Sequence, residues 1–123
     1  MKIIRREEIA KSKLPGRILQ TAVGKEAQSK SDRMMVGFAH YSAESGPMEP
    51  HHHVEEVVYV LDARKGWFRY GPRKDQLDHR VPLEKGMFLH NPPLEWHVFE
   101  YDENGFVDII FIYPQVENIY PEK

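Results

Sequence analysis

The sequence predicts an all-β protein of the sandwich or barrel type, and three observations lead to this prediction. Short runs of β-branched and aromatic residues recur along the 123-residue chain, and such residues favour strands. Nine prolines and eight glycines interrupt these runs and leave little room for long helices. Short strands that recur at regular spacing are typical of β-sandwiches and β-barrels. A barrel of this size is wide enough to hold one small ligand in its mouth.

The elements follow from the same reasoning in chain order, within a single expected domain of residues 1–123. "RREEIAKSKL" (5–14) precedes a Pro-Gly pair and predicts a short helical turn. Strands are then predicted over 17–23, 34–42, 56–61, 67–71, 79–83, 87–90, 96–101 and 106–113. "DENG" (102–105) is turn chemistry between two strands and predicts a hairpin. The proline-containing tail, 114–123, is expected to pack as an irregular extension.

Composition and charge exclude several classes of function. The net charge is −2 and the basic residues are scattered, so we expect no nucleic-acid partner. The chain has no cysteine, which excludes disulfides, thiolate metal sites and a cysteine nucleophile. No apolar run approaches the roughly 20 residues of a membrane helix, so we expect no membrane partner. The first residues, "MKIIRREEIAKSK", lack the apolar region of a signal peptide, and we therefore expect a cytoplasmic protein.

One stretch, "PMEPHHHVEEVVYVL" (47–61), carries metal-ligand chemistry, because imidazole and carboxylate groups are the usual ligands of divalent ions. Side chains alternate between the two faces of a strand. His51 and His53 can therefore point to the interior together, with His52 opposite. This register needs an irregularity before Glu56 for the carboxylate to face the same way. In the other register, His52 and Glu56 point inward together.

A second stretch, "KGMFLHNPPLEWHVFEY" (85–101), supplies a further histidine after a double proline. It resembles the second motif of the cupin superfamily, because Gly86, Pro92 and His97 have the spacing of that motif. Leu94 and Tyr101 stand where the family has a glycine and an asparagine. The first stretch resembles the other cupin motif less closely.

The resemblance implies a cupin-type jelly-roll β-barrel, a fold that is often dimeric. Many cupins bind Fe, Mn, Ni or Zn through three histidines and one glutamate. The resemblance thus implies His51, His53, Glu56 and His97 as metal ligands, with His52 as the substitute if the register shifts by one. A set of nitrogen and oxygen ligands suits these divalent ions.

For function, we expect a small metal-dependent cupin enzyme that acts on a small oxygen-bearing metabolite. Its reaction would be of the dioxygenase, isomerase, lyase or decarboxylase type. His40 and His90 are expected to be catalytic proton carriers in the pocket, because histidine titrates near neutral pH. The alternatives are a non-catalytic module that binds or senses a small molecule, and a metal-free epimerase. We also expect a homodimer, in which the N-terminal "MKIIRREEI" is a candidate crossing strand.

Overall fold

The computed structural model describes residues 1–120, and most of the regular structure in this range is β-strand. The strands are β1 (Ser12–Leu14), β2 (Arg17–Gly24), β3 (Ser29–Lys30), β4 (Met35–Ser42), β5 (Glu56–Gly71), β6 (His79–Pro82), β7 (Phe88–Asn91) and β8 (Trp96–Tyr113). The only helical element in residues 1–120 is a 3-10 turn, Arg6–Glu8. These residues include no helix long and apolar enough to span a bilayer. The predicted all-β class is confirmed.

Two long strands, β5 and β8, organise the sheet. The strand order is β1-β2-β4-β8-β5-β6, with β3 on the edge of β2 and β7 beside β5. All pairs are antiparallel except β2 with β3. The first half of β5 also pairs with β7, and its second half pairs with β6. Each long strand therefore spans two regions of the sheet, and side chains from both regions share one core.

The predicted hairpin at 102–105 is wrong. The chain does not reverse there, because both flanking segments pair with β5. Gly66 pairs with Tyr101, and Arg64 pairs with Phe106. The four residues of "DENG" therefore bulge out opposite a single residue of β5. The predicted strands 56–61 and 67–71 both belong to β5, and the predicted strands 96–101 and 106–113 both belong to β8. Four predicted strands therefore form two long strands.

The predicted helical turn over 5–14 is present only in part. The 3-10 turn covers Arg6–Glu8, whereas Ser12–Leu14 forms β1 and pairs with β2. The intervening Gly16 has φ +87°, a conformation that glycine adopts without steric cost. This tight turn brings residues 12–14 onto the edge of β2, and backbone pairing there prevails over local helix propensity.

The core is formed mainly by inward-facing side chains of β4, β5 and β8, together with Leu83, which directly follows β6. Its buried members are Ala39, Tyr41, Val58, Val60, Phe68, Leu83, Phe99, Val107, Ile109, Phe111 and Tyr113. Their alternation in sequence is the period of two expected for strands with one buried face. On two strands the inward-facing residues end in a polar side chain. These are Glu56, the first residue of β5, and Tyr113, the last residue of β8. The apolar core therefore leads to a polar cluster at one end of the long strands.

The N-terminal segment is held on the outer face of its own sheet. Arg6 donates two hydrogen bonds to the Asp108 carboxylate at 2.7 and 2.8 Å, and His40 Nδ1 lies 2.9 Å from the same carboxylate. Gln20 Nε2 donates to the carbonyls of Arg6 and Ile9. Residues 6–9 therefore pack on their own barrel, and the expected homodimer stays a prediction.

The pKa of Asp108 reflects two opposing effects. Burial by itself raises this pKa, but the hydrogen bonds from Arg6 and His40 outweigh burial and lower it to about 2. The carboxylate keeps only 14% of its side chain exposed, whereas its partners keep about a third. The folded protein therefore holds the proton of Asp108 less tightly than the unfolded chain, whose value is near 3.8.

We predict that Asp108→Asn lowers the free energy of unfolding by about 1–2 kcal/mol near neutral pH, after allowance for solvent screening of the partners. The contribution of the carboxylate is complete above the unfolded pKa, near 3.8, and is lost as pH falls toward about 2. Urea denaturation at several pH values measures it. Asp75→Asn is the matched control, because the Asp75 side chain is 86% exposed. Equal losses for the two variants would contradict the prediction.

Candidate metal centre

Backbone hydrogen bonds join the two histidine-bearing stretches. The amide of His51 donates to the carbonyl of His97 at 3.0 Å, and the reverse bond is 2.9 Å. The amide of Leu94 donates to the carbonyl of His53 at 2.8 Å. Leu94 has φ +64°, in the left-handed region, at the position where the cupin motif has glycine. The turn before β8 therefore fixes the histidine triplet against the start of that strand.

Three imidazole rings converge in this region, and each is oriented by a backbone carbonyl. The Nδ1–carbonyl pairs are His51 with Glu49 at 3.2 Å, His53 with Val54 at 2.8 Å and His97 with Glu95 at 3.0 Å. A carbonyl oxygen only accepts hydrogen bonds, so each Nδ1 carries the ring proton. In a neutral ring, Nε2 is then an unprotonated acceptor. One nitrogen from each of the three rings lies within 4.8 Å of the others.

Two of these acceptors are in close contact. Nε2 of His53 and Nε2 of His97 lie 3.1 Å apart, and each residue is only 2% exposed. Burial lowers the pKa of His53, and it lowers the pKa of His97 to about 2. Neither ring therefore takes up a second proton near neutral pH. Two unprotonated nitrogens at this distance repel each other unless a cation lies between them, so the donor set fits a metal ion.

A buried carboxylate lies beside the imidazoles. Glu56 Oε1 is 3.4 Å from His53 Nε2, and it accepts a hydrogen bond from Asn91 Nδ2 at 2.9 Å. Burial raises the pKa of Glu56 to about 7, although hydrogen bonds from Asn91 and Tyr113 favour the charged form. A nearby divalent cation would compensate this buried negative charge. Residues 52–55 lie outside the strands, which lets two residues three apart both face inward.

The middle histidine of the triplet points elsewhere. The ring of His52 stacks on Trp96 with centroids 4.1 Å apart, and its Nδ1 lies 3.3 Å from the Leu94 carbonyl. It does not line the inner cavity, a space of about 210 Å³ that is lined by His51, His53 and His97. The structure brings His51 and His53 together with His97. This arrangement corresponds to the register in which His51 and His53 point inward and His52 points away.

The two histidines predicted to carry protons are outside the cavity. His40 lies on the outer face of β4 with Asp108, and His90 Nε2 lies 2.6 Å from Glu55 Oε2 on the surface. Strand alternation explains both positions, because the inward neighbours are Tyr41 on β4 and Asn91 on β7. The catalytic role of His40 and His90 stays a prediction, and the structure does not bring either residue to the cluster.

The histidine cluster lines an inner cavity of about 210 Å³. Sequence reasoning missed several of its polar residues, which are Arg17, Tyr41, Tyr113 and Tyr120, and it also missed Asn91, which supports Glu56. Alternation was the available signal. In "RILQT", Arg17 shares the inward face with Leu19 and Thr21, all three of which line the cavity. The cavity places an apolar space with a few polar groups directly beside the candidate metal ligands.

No protein-family model matches this sequence, and no curated protein matches it. Several solved structures match the fold. A protein from Planctomyces limnophilus has 20% identity and a TM-score of 0.73, with 95% of this chain and 91% of that one covered. The polyketide cyclase RemF from Streptomyces resistomycificus has 21% identity and a TM-score of 0.73, with 93% and 79% covered. An Fe(II) structure of HppE has 15% identity and a TM-score of 0.64, and the alignment covers 91% of this chain and 59% of HppE. These likenesses show the fold alone, which is the cupin-type jelly-roll β-barrel expected from the sequence.

We predict that His51→Ala, His53→Ala and His97→Ala each weaken binding of a divalent ion by at least about 100-fold, because each removes one of few ligands. His52→Ala is the matched control and should retain the wild-type metal content. Elemental analysis after dialysis against trace metal measures occupancy, and circular dichroism verifies the fold. Loss of metal in the His52 variant alone would show that the register is shifted by one residue.

We predict that Asn91→Ala weakens metal binding by about 10-fold, because Glu56 loses the hydrogen bond that orients its carboxylate. His90→Ala is the control, since it removes a side chain from the same strand on the opposite face. Competition with a metal chelator gives the affinities. Equal affinities for the wild type and the Asn91 variant would mean that the amide does not support the site.

Proposed function

We propose that this cupin-fold chain is a small metal-dependent enzyme that acts on a small oxygen-bearing metabolite. His51, His53, His97 and Glu56 would hold one divalent ion. The inner cavity beside them would receive the substrate. The reaction would be of the dioxygenase, isomerase, lyase or decarboxylase type.

One observation carries the proposal, and it is the orientation of the three imidazoles. Each donates its single ring proton to a backbone carbonyl, which leaves its other nitrogen unprotonated. One nitrogen from each ring lies within 4.8 Å of the others. Metal-ligating histidines characteristically donate a hydrogen bond in this way from the N–H of their other ring nitrogen. The carboxylate of Glu56 adds a hard oxygen ligand next to His53.

The donor set suits Fe(II), Mn(II), Ni(II) or Zn(II), which bind nitrogen and oxygen ligands. Four protein ligands leave one or two coordination positions for water or substrate. The ion would supply Lewis acidity or, if redox-active, activation of O₂. A reported structure of one structural neighbour, HppE, is an Fe(II) form, which is compatible with iron in this set.

The residues of the chain itself would bind and orient the reacting groups. Asn91 holds the Glu56 carboxylate in place, and the apolar cavity walls exclude water from the reacting groups. The Tyr113 hydroxyl lies 3.3 Å from His53 Nε2 and also contacts Glu56. Burial raises the pKa of Tyr113 well above its ordinary value, so this hydroxyl stays protonated and acts as a hydrogen-bond donor.

A specific observation supports the non-catalytic alternative, a module that binds or senses a small molecule. The histidines expected to transfer protons, His40 and His90, lie outside the inner cavity. Apart from the candidate ligands and Arg17, the titratable residues that line this cavity in the described chain are three tyrosines. A binding module needs no group that changes its protonation state during turnover.

The test combines metal analysis with a turnover assay. We expect the purified protein to hold about one divalent ion per chain. Reconstitution with each of the four metals, followed by assays on small keto acids, diols and sugar derivatives, should reveal turnover that His97→Ala abolishes and His52→Ala retains. Absence of metal binding would refute the proposal. Tight metal and ligand binding without turnover would favour the sensing module.

A further inference from the structure

We propose that the molecule received by the inner cavity is a small carboxylate, and that Arg17 binds its anionic group. The proposed ligand has an apolar body of about one ring. This proposal rests on the proposed function, since it names the class of molecule that the same cavity admits. It makes Arg17 a specificity-determining residue rather than a metal ligand.

The position of Arg17 is the first argument. Arg17 begins β2, directly after the turn at Gly16, and its side chain lines the inner cavity. It also lines an outer cavity of about 430 Å³, which shares Met48, His51 and Tyr120 with the inner one. A ligand passing from the outer to the inner cavity would therefore meet the guanidinium group beside the histidine cluster.

The charge of Arg17 is the second argument. It is the one Lys or Arg side chain that lines the inner cavity in the described chain, and it is partly buried. No carboxylate in residues 1–120 forms an ion pair with it. Its one side-chain hydrogen bond in this range is to the Pro15 carbonyl, at a long 3.4 Å. A guanidinium group offers five donors in a planar fork that matches a carboxylate, so most of its capacity is available to a ligand.

The positive charge of Arg17 acts on a residue that lines the inner cavity, Tyr120. Burial raises the pKa of Tyr120, and the positive charge of Arg17 offsets part of that rise. The outer cavity adds further positive charge. Lys74 lines the outer cavity together with Arg17, where Glu49 is the one acidic residue among the described lining residues. Glu56 is the one acidic residue among the described residues that line the inner cavity. Burial raises the pKa of Glu56, and the positive charge of Arg17 offsets part of that rise. An anion is therefore favoured beside Arg17, which lines both cavities.

The size and the walls of the cavity define the rest of the ligand. A cavity of about 150 Å³ lined by apolar side chains binds benzene. The inner cavity here is about 210 Å³, which leaves room for one ring and a small substituent. Its apolar walls include Leu19, Met35, Phe99 and Phe111. A single-ring acid, or a branched acid of the same volume, fits both the walls and the one cation.

Benzoate and benzamide are the probes, because they differ in charge and hardly in size. Isothermal titration calorimetry on the metal-free protein isolates Arg17 from any ion that would itself attract a carboxylate. We expect the wild type to bind benzoate about 10-fold more tightly than benzamide, the effect of one charge-assisted hydrogen-bonded pair. Arg17→Gln should remove this preference by weakening benzoate binding more than benzamide binding, and Arg17→Lys should retain part of it.

Lys74→Gln is the matched control, because it removes the same charge from the outer cavity and should preserve the preference. Circular dichroism and elemental analysis verify that Arg17→Gln keeps the fold and the wild-type metal content. Equal or absent binding of the two probes by the wild type, or a preference that survives in Arg17→Gln, would overturn the proposal. If the protein binds no metal, the proposed function fails, while the comparison in metal-free protein still tests Arg17.

Discussion

Three hydrogen bonds from imidazole Nδ1 atoms to backbone carbonyls are the constraint on which the candidate centre depends. They fix the proton of each ring on the side away from the cavity, and thereby turn His51, His53 and His97 into acceptors that face one another. Acceptors packed at 3.1 Å in a buried site are unfavourable by themselves. The fold therefore holds in place an arrangement that a divalent cation would stabilise.

The rest of the barrel positions this arrangement. The long strands β5 and β8 carry apolar rows that build the core, and the polar ends of those rows bring Glu56 and Tyr113 to the cluster. The chain leaves strand geometry between the triplet and β5, so that His53 and Glu56 can both face inward. The turn at Leu94 secures the triplet from the other side. Distant parts of the chain thus meet at the cavity because strand pairing brings them together.

The sequence was sufficient for the all-β class, for the positions of most strands and for the spacing of the histidines, since these follow from local patterns of residue type. It was insufficient where pairing decides the outcome. "DENG" has the composition of a hairpin, yet its flanks both pair with β5 and it bulges instead. His40 and His90 carry the right chemistry but face outward, because strand parity is set by the core. The sequence did not predict roles for Arg17 and Asn91. A single arginine or asparagine is informative only when the sheet face on which its side chain lies is known.

The protonation of the three imidazoles in the metal-free protein can be measured, and it shows whether the fold presents unprotonated nitrogens to a cation. Nitrogen-15 NMR of the histidine side chains near neutral pH reports which ring nitrogen carries the proton. We predict the Nδ1–H form for His51, His53 and His97, and a change at each Nε2 when Zn²⁺ is added. A proton on Nε2 of His53 or His97 would instead indicate an ordinary hydrogen bond between the two rings. That result would contradict the claim that the fold presents a set of buried acceptors to a cation.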